Sequence, residues 1–497
     1  MLFNSYAFLF VFLPLALLSF YGLRAAGRLR ASVVLLAMAS VAFYAYWKPA
    51  DTFILLGTIV FNFLCARFLS SVAPRRAGWV LLLGVAGNLG LLVYFKYFDF
   101  LATNISALLG AHFSPRGIVM PIGISFFTFT QIAYLVDCYR SRTHEAQFDS
   151  YALFVTIFPH LIAGPIIHHA QMRPQFARLR TERIASEMAL LGIVIFVLGL
   201  AKKVLIADNL VGGADAIFNA ADAGARLTAA AAWTGAIAYT LQIYFDFSGY
   251  SDMAVGLGLL FGLRLPVNFN SPYKATSIID FWRRWHITLS AWLRDYLYIP
   301  LGGNRQGEFG RLRNVFVTFL LGGIWHGAGW TFVIWGALHG AYVVGNHLAR
   351  AAFPRHETTR PGALVAACQQ AFTLALVIIA WIFFRAKTVP GAVSLLASMG
   401  FAGAGSTRVS GLDNSLAFWM TVAGALALFV PNTQGLTGYT ANLGEPLRLR
   451  SASFIESLRA RTALLGATPA TAVICGILFA AALACIWRPA IFIYFNF

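Results

Sequence analysis

Residues 315–348 read VFVTFLLGGIWHGAGWTFVIWGALHGAYVVGNHL, and the way this run folds decides the architecture of the chain. As one helix it would be about 51 Å long at 1.5 Å per residue, against a hydrocarbon core of about 30 Å. Arg305, Arg311 and Arg313 precede it, and Arg350, Arg355 and Arg360 follow it. Basic connectors stay on the cytoplasmic side of a membrane, so both ends of the run belong there and a single crossing fails. Gly322–Gly323 and Gly327–Ala328–Gly329 supply an interruption around Trp325–His326. The expectation is a re-entrant segment of two helical pieces that meet inside the membrane, with His326 near the join.

The rest of the chain supports a membrane setting. Of 497 residues, 59% are hydrophobic and only 11% are charged, where a soluble domain carries about a quarter charged residues to wet its surface. Phe3–Leu23, Thr52–Leu69, Gly78–Val93, Gly192–Leu200, Phe372–Phe384 and Thr471–Ile486 are each apolar. No window reads as a separate soluble domain. The composition therefore predicts an all-α, polytopic transmembrane protein, with residues 1–497 forming a single membrane-embedded domain. The net charge of +18 sits in short connectors rather than on one face. That argues against a nucleic-acid partner and for membrane lipid and an anionic cytosolic cosubstrate. Five cysteines without a C-x-x-C pair predict neither a disulfide framework nor a metal site. The first apolar segment lacks a basic leader and a small-residue cleavage site, and reads as a retained helix.

Orientation follows from the connectors. Arg24, Arg28 and Arg30 place the first connector inside, hence the N-terminus outside. Val33–Trp47 then returns outward, the next span leads to Arg75–Arg76, another to the polar segment Asp99–Arg116, and Ile118–Val136 leads in to Arg140 and Arg142. The alternation then fails. Tyr151–Ile167 is apolar but lies between Arg140/Arg142 and Arg173, Arg178, Arg180 and Arg183. Breaks at Pro159–His160 and Gly164–Pro165 predict a second re-entrant segment, since irregular backbone at membrane depth needs protein or a cavity to satisfy it. The connector Pro431–Ala463, with Arg448, Arg450, Arg459 and Arg461, reads as cytoplasmic, which leaves the tail Phe492–Phe497 outside.

Few side chains in these runs can do chemistry. An ionisable residue at membrane depth is a functional candidate by default, and His326 is one. The competing reading is a histidine that bonds between helices, but the glycines around it allow close approach of backbone or ligand. An imidazole kept neutral by apolar surroundings offers a lone pair that can take a proton from an acceptor hydroxyl attacking a thioester. No G-x-S-x-G nucleophile pattern is present, so direct transfer is expected. His286 lies on the shoulder of the Trp282/Trp285/Leu289/Trp292 stripe, whose spacing predicts one amphipathic helix in the interface plane. By spacing alone it reads as an interfacial histidine. Asp246, at the end of an apolar run, reads as a helix–helix hydrogen-bonding residue, and His160, His168, His169, His339 and His347 as structural.

At these residues a family becomes recognisable. Phe281-Trp282-Arg283-Arg284-Trp285-His286, continued through Trp292-Leu293-Arg294-Asp295-Tyr296-Leu297-Tyr298-Ile299-Pro300-Leu301-Gly302-Gly303, resembles one signature of the membrane-bound O-acyltransferase family, and Gly322-Gly323-Ile324-Trp325-His326-Gly327 resembles its second. Pro121–Phe126, Ala163–Ile166 and Tyr244–Tyr250 are similar to its bacterial polysaccharide-acetylating branch, as are the first residues and the Phe492–Phe495 tail. The resemblance implies that His326 matches the catalytic histidine and His286 the second polar position. It also implies a ring of helices around a central tunnel joining a cytosolic donor side to the opposite side. Acetyl-CoA would be the acyl donor, with no bound cofactor. A periplasmic acetyltransferase partner would complete O-acetylation of an exopolysaccharide such as alginate at the bacterial cell inner membrane. Acylation of a cell-wall polymer (teichoic-acid D-alanylation or peptidoglycan O-acetylation) is the alternative within enzymes. A polytopic transporter or flippase is the alternative of another class, which inverted repeats would support and the sequence lacks.

Overall fold

The computed structural model describes residues 1–353, 362–400, 414–440, 465, 468–486 and 492–493. Arg355, Arg360, Arg448, Arg450, Arg459 and Arg461, used above to orient the chain, lie outside the described residues. Among those described, the regular structure is helical throughout. Phe8–Ala25, Pro49–Ser71, Pro74–Leu108, Ser186–Asp222 and Ala363–Arg385 are long and apolar enough to cross a membrane, and Leu29–Ala45, Val389–Met399, Asn414–Phe429 and Pro469–Cys485 are shorter apolar helices. Large apolar side chains such as Phe53, Leu83, Trp79, Phe372 and Leu108 stand exposed. A soluble protein would wet such a rim, whereas lipid matches it. The chain resolves into two compact units.

The first unit comprises Met1–Gly199, Tyr250–Val267 and Thr437–Ile477. Its opening helices pack as a serial bundle whose chain reversals are local. Gly27 takes φ 74° between the first two helices, and Pro49 and Pro74 occupy first-turn positions where their missing N–H costs nothing. Phe3, Phe8, Phe43 and Phe158 form an aromatic core with ring centroids 5.1–5.9 Å apart along Phe3–Phe8, Phe3–Phe43, Phe8–Phe43 and Phe43–Phe158. Between the apolar helices an amide cluster acts as glue. Asn62 Nδ2 donates to Asn88 Oδ1 at 3.1 Å and to Gln131 Oε1 at 3.0 Å, and Asn88 Nδ2 returns a bond to Asn62 Oδ1 at 2.7 Å. Such interhelical bonds contribute roughly 0.6–2 kcal/mol each in membranes.

The interrupted segment expected at Tyr151–Ile167 is present in this unit. A helix Phe148–Thr156 stops, a single turn Phe158–Leu161 follows, and the backbone then runs irregularly to a helix His169–Leu179. Residues 153–167 are all buried, so protein rather than lipid surrounds the irregular backbone. Gly164 is required by contact: a Cβ there would lie 2.5 Å from the Pro159 carbonyl oxygen.

The second unit comprises Leu200–Gly249, Asn268–Leu436 and Leu478–Phe497. The run 315–348 is a pair of packed helices, Gly307–His326 and Trp330–Ala352, reversed at Gly327–Gly329, with His326 as the last helical residue. One detail differs from expectation: Gly322 and Gly323 do not break the helix. They lie inside it, and Gly323 serves close packing, because a Cβ there would sit 2.5 Å from the Phe332 carbonyl oxygen and 2.7 Å from Gly336 Cα. Gly336 meets the other helix in the same way, 2.7 Å from the Phe319 carbonyl oxygen. This is the small-residue contact by which apolar helices associate in lipid.

Two further expectations are corrected. Asp246 does not end an apolar run. It lies within the 32-residue helix Ala229–Leu260, whose apolar character continues beyond it. The Trp282–Trp292 stripe is not one interfacial helix. Ile278–Trp282, capped by the Ser277 hydroxyl accepting the Asp280 N–H at 3.2 Å, is separated from Ile287–Leu293 by a turn. Trp282, Trp285, Leu289 and Trp292 are all buried. The spacing identified side chains that share a buried side, but main-chain bonds from outside the stripe interrupt the helix, as described next.

Candidate active site

His286 occupies that turn. It is buried and adopts φ 43°, ψ 54°, the left-handed region that a side chain with a Cβ rarely takes. The turn is held by pairing with an upstream segment. The Ile287 N–H donates to the Asn268 carbonyl at 3.0 Å, and the Asn270 N–H donates to the Arg284 carbonyl at 2.9 Å. His286 Nδ1 lies 3.0 Å from Asn268 Oδ1. The same oxygen accepts the Thr288 hydroxyl at 2.9 Å and the Thr288 backbone N–H at 3.3 Å. Phe247 packs edge-on against the imidazole with centroids 4.8 Å apart, and Phe269 lies parallel to it at 6.5 Å. Burial pushes the His286 imidazole down to about 3, so the ring is neutral.

His326 is held differently. It is buried at a helix C-terminus, ringed by Trp325 at 4.9 Å, Trp335 at 5.0 Å and Phe384 at 5.2 Å between centroids. Phe384 comes from Ala363–Arg385 and Trp335 from Trp330–Ala352, so three helices position this imidazole. Gly327, the next residue, has room for no Cβ because the Phe332 ring covers it. A continuous series of rings links the two histidines: His326–Trp335, Trp335–Trp381 at 5.9 Å, Trp381–Trp285 at 4.8 Å, Trp285–Phe269 at 5.0 Å and Phe269–His286. The two signature stretches thus contribute to one aromatic wall.

His339 joins that wall. It is fully buried, with Trp335 at 4.8 Å, and its Nδ1 accepts the Trp282 indole N–H at 3.2 Å, which puts the proton of the neutral ring on Nε2. Asp246 is paired with Lys203 at 2.7 Å, Lys203 also reaches Asp208 at 2.6 Å, and Asp246 Oδ2 accepts the Ile493 N–H at 2.9 Å. This buried ion cluster fits the hydrogen-bonding role expected for Asp246. His160 and His169 belong to the first unit. His160 Nε2 lies 3.0 Å from the Phe154 carbonyl, and His169 lies 3.4 Å from Glu145. Burial raises the Glu145 carboxyl, but His169, the Gln147 N–H and Arg173 outweigh it and hold the group below its ordinary range. His347 lies 3.2 Å from Arg311 at a helix end.

Sequence reasoning passed over Asn268, Thr288, Trp335 and Lys203. Asn268 stands in Asn-Phe-Asn-Ser-Pro-Tyr, 18 residues upstream of His286, and its only signal was a polar amide beside aromatic residues.

Comparison with known proteins places this geometry. The model of the membrane-bound O-acyltransferase family matches residues 32–386, a span that contains both signatures and every residue of the aromatic wall. The chain belongs to that family and is an O-acyltransferase. It is 43% identical over 427 residues to a peptidoglycan O-acetyltransferase of Helicobacter pylori, covering 80% of each chain. It is likewise 43% identical over 408 residues to the probable alginate O-acetylase AlgI of Azotobacter vinelandii, covering 80% of this chain and 78% of that one. A teichoic acid D-alanyltransferase of Bacillus subtilis is 27% identical over 245 residues, 46% of this chain and 59% of that one.

Proposed function

We propose that this chain is a multi-pass protein of the bacterial inner membrane that takes acetyl groups from acetyl-CoA on the cytosolic side. It passes them outward, through the tunnel the family implies, to a periplasmic acetyltransferase partner that O-acetylates an exopolysaccharide such as alginate. His326 and His286 are its catalytic residues. The observation that carries the reading is the placement of His326: a buried imidazole on a glycine reversal between two packed helices, where a ring nitrogen can serve as base away from bulk water. In the transfer step His326 accepts the proton of the attacking hydroxyl. The oxygen bonds to the acetyl carbonyl carbon, the carbon–sulfur bond breaks, and the proton passes to the departing thiolate.

Peptidoglycan as the final polymer is a second reading with its own support, because the Helicobacter pylori relative is as similar as the alginate one. The teichoic-acid reading rests on a match to under half of this chain. A deletion strain, complemented with the intact gene, separates these readings by the ester-linked acetyl released by mild alkali from exopolysaccharide and from purified cell wall. The expected result is loss from exopolysaccharide alone. Loss from the wall alone replaces the acceptor, and loss from neither overturns the proposal. Transfer of labelled acetyl from acetyl-CoA by inverted membrane vesicles tests the donor, and absence of transfer there sinks it.

A further inference from the structure

We infer that Asn268 is a positioning residue that fixes the tautomer of His286, so that Nδ1 carries the proton and Nε2 carries the lone pair toward the reaction. This rests on the reading of His286 as catalytic, and goes beyond it by naming what sets the ring. The argument begins with the Thr288 backbone N–H, which can only donate. It points at the side-chain amide of Asn268 at 3.3 Å, so the amide atom there is the oxygen, not the nitrogen. That oxygen is an acceptor only, and His286 Nδ1 lies 3.0 Å from it. Nδ1 must therefore donate, and a neutral imidazole with its proton on Nδ1 has its lone pair on Nε2.

The clamp is built by the backbone. The Asn268 carbonyl accepts the Ile287 N–H at 3.0 Å and the Asn270 N–H donates to the Arg284 carbonyl at 2.9 Å, so this upstream segment grips both sides of the left-handed residue. The Thr288 hydroxyl, at 2.9 Å, gives the amide oxygen a third donor and holds it in place. Asn268 and Thr288 are themselves buried, so water does not compete for the bonds. A hydrogen-bond acceptor behind a histidine that selects its tautomer is how catalytic and metal-binding imidazoles are oriented in general. Charged groups on the elements packed around the ring include Arg283 and Arg284 on its own turn, the latter paired with Asp280 at 2.9 Å, Asp246 next to Phe247, paired with Lys203, and Asp252 farther along that helix.

The test uses inverted membrane vesicles carrying the full-length chain, following transfer of labelled acetyl from acetyl-CoA between about pH 5 and 9. Asn268→Ala is expected to lower turnover about 10–100-fold with little change in the acetyl-CoA concentration for half-saturation, as loss of an orienting partner does. Asn268→Asp keeps an acceptor and is expected to retain turnover within about 10-fold. Its carboxylate favours the imidazolium, so the acid limb of the pH profile moves to higher pH. A role confined to folding would lower the abundance of both variants and leave the pH profile of the surviving protein unmoved, which overturns the inference. His286→Ala is measured alongside. If it is inactive while Asn268→Ala turns over normally, the clamp is wrong and the role of His286 stands. If His286→Ala is itself active, the reading of His286 fails and takes the clamp with it.

Discussion

His286 and His326 lie on one aromatic wall but in different backbone settings, a left-handed turn and a helix end. His286 is gripped by polar atoms: an asparagine oxygen on Nδ1, main-chain bonds on either side, and a backbone angle that costs energy to maintain. Around His326 stand three aromatic rings, a helix end, and glycines that let two helices touch. The hydrogen bond to Nδ1 selects a tautomer of His286 as well as its orientation. The two positions therefore differ in what a substitution removes. At His326 it removes an imidazole packed by rings at a helix end. At His286 it removes the imidazole and its bond to Asn268 from a turn whose left-handed backbone the new residue must still adopt.

The largest effect should follow from His326. His326→Ala is expected to lower acyl transfer by about 10²–10⁴-fold, the usual contribution of a general base, at near wild-type membrane abundance. His326→Asn is expected to fail equally, because an amide keeps a hydrogen bond but cannot take the proton. Transfer by either variant at wild-type rate and equal abundance would make His326 a packing residue.

Next comes the shape that holds it. A side chain at Gly323 must push into the Phe332 carbonyl and Gly336 at once, and both obstacles are backbone. Gly323→Val is expected to destabilise the helix pair by about 1–3 kcal/mol, the range for overpacking a close contact, and to lower the thermal midpoint in detergent. Gly322→Ala next to it should be nearly silent, since its nearest neighbour is the end of a leucine side chain at 3.3 Å. Equal effects at the two glycines would mean that the helices do not meet at Gly323.

The helix pair and its join at His326 were legible in the sequence because length, basic flanks and glycine position are local facts. The aromatic stripe was legible as a set of buried residues but not as a fold. Its spacing from Trp282 to Trp292 fits one helix, and only Asn268 and Asn270, bonding in from another part of the chain, convert it into two helices and a turn. Lys203 was missed for the same reason: Asp208 is a local partner, but Asp246, which completes the cluster, is 43 residues away in a different helix (246 − 203). Contacts that cross the chain leave no periodicity to read.

The smallest prediction is also the sharpest test of the contrast. At φ 43° an alanine in place of His286 inherits the left-handed strain, about 1–2 kcal/mol, while a glycine relieves it. Glycine also enlarges the entropy of the unfolded chain, which offsets roughly 0.4–1 kcal/mol. His286→Gly should therefore be more stable than His286→Ala by about 0.5–1 kcal/mol, a midpoint difference of about 1 °C for a chain of this size, with both variants inactive. At His326, the last residue of a helix, the order reverses: glycine there is less stable than alanine by up to about 1 kcal/mol. The measurement is the thermal midpoint of all four variants in one detergent. If alanine is the more stable replacement at both positions, His286 does not occupy a left-handed turn, and the polar grip ascribed to it loses its geometric basis.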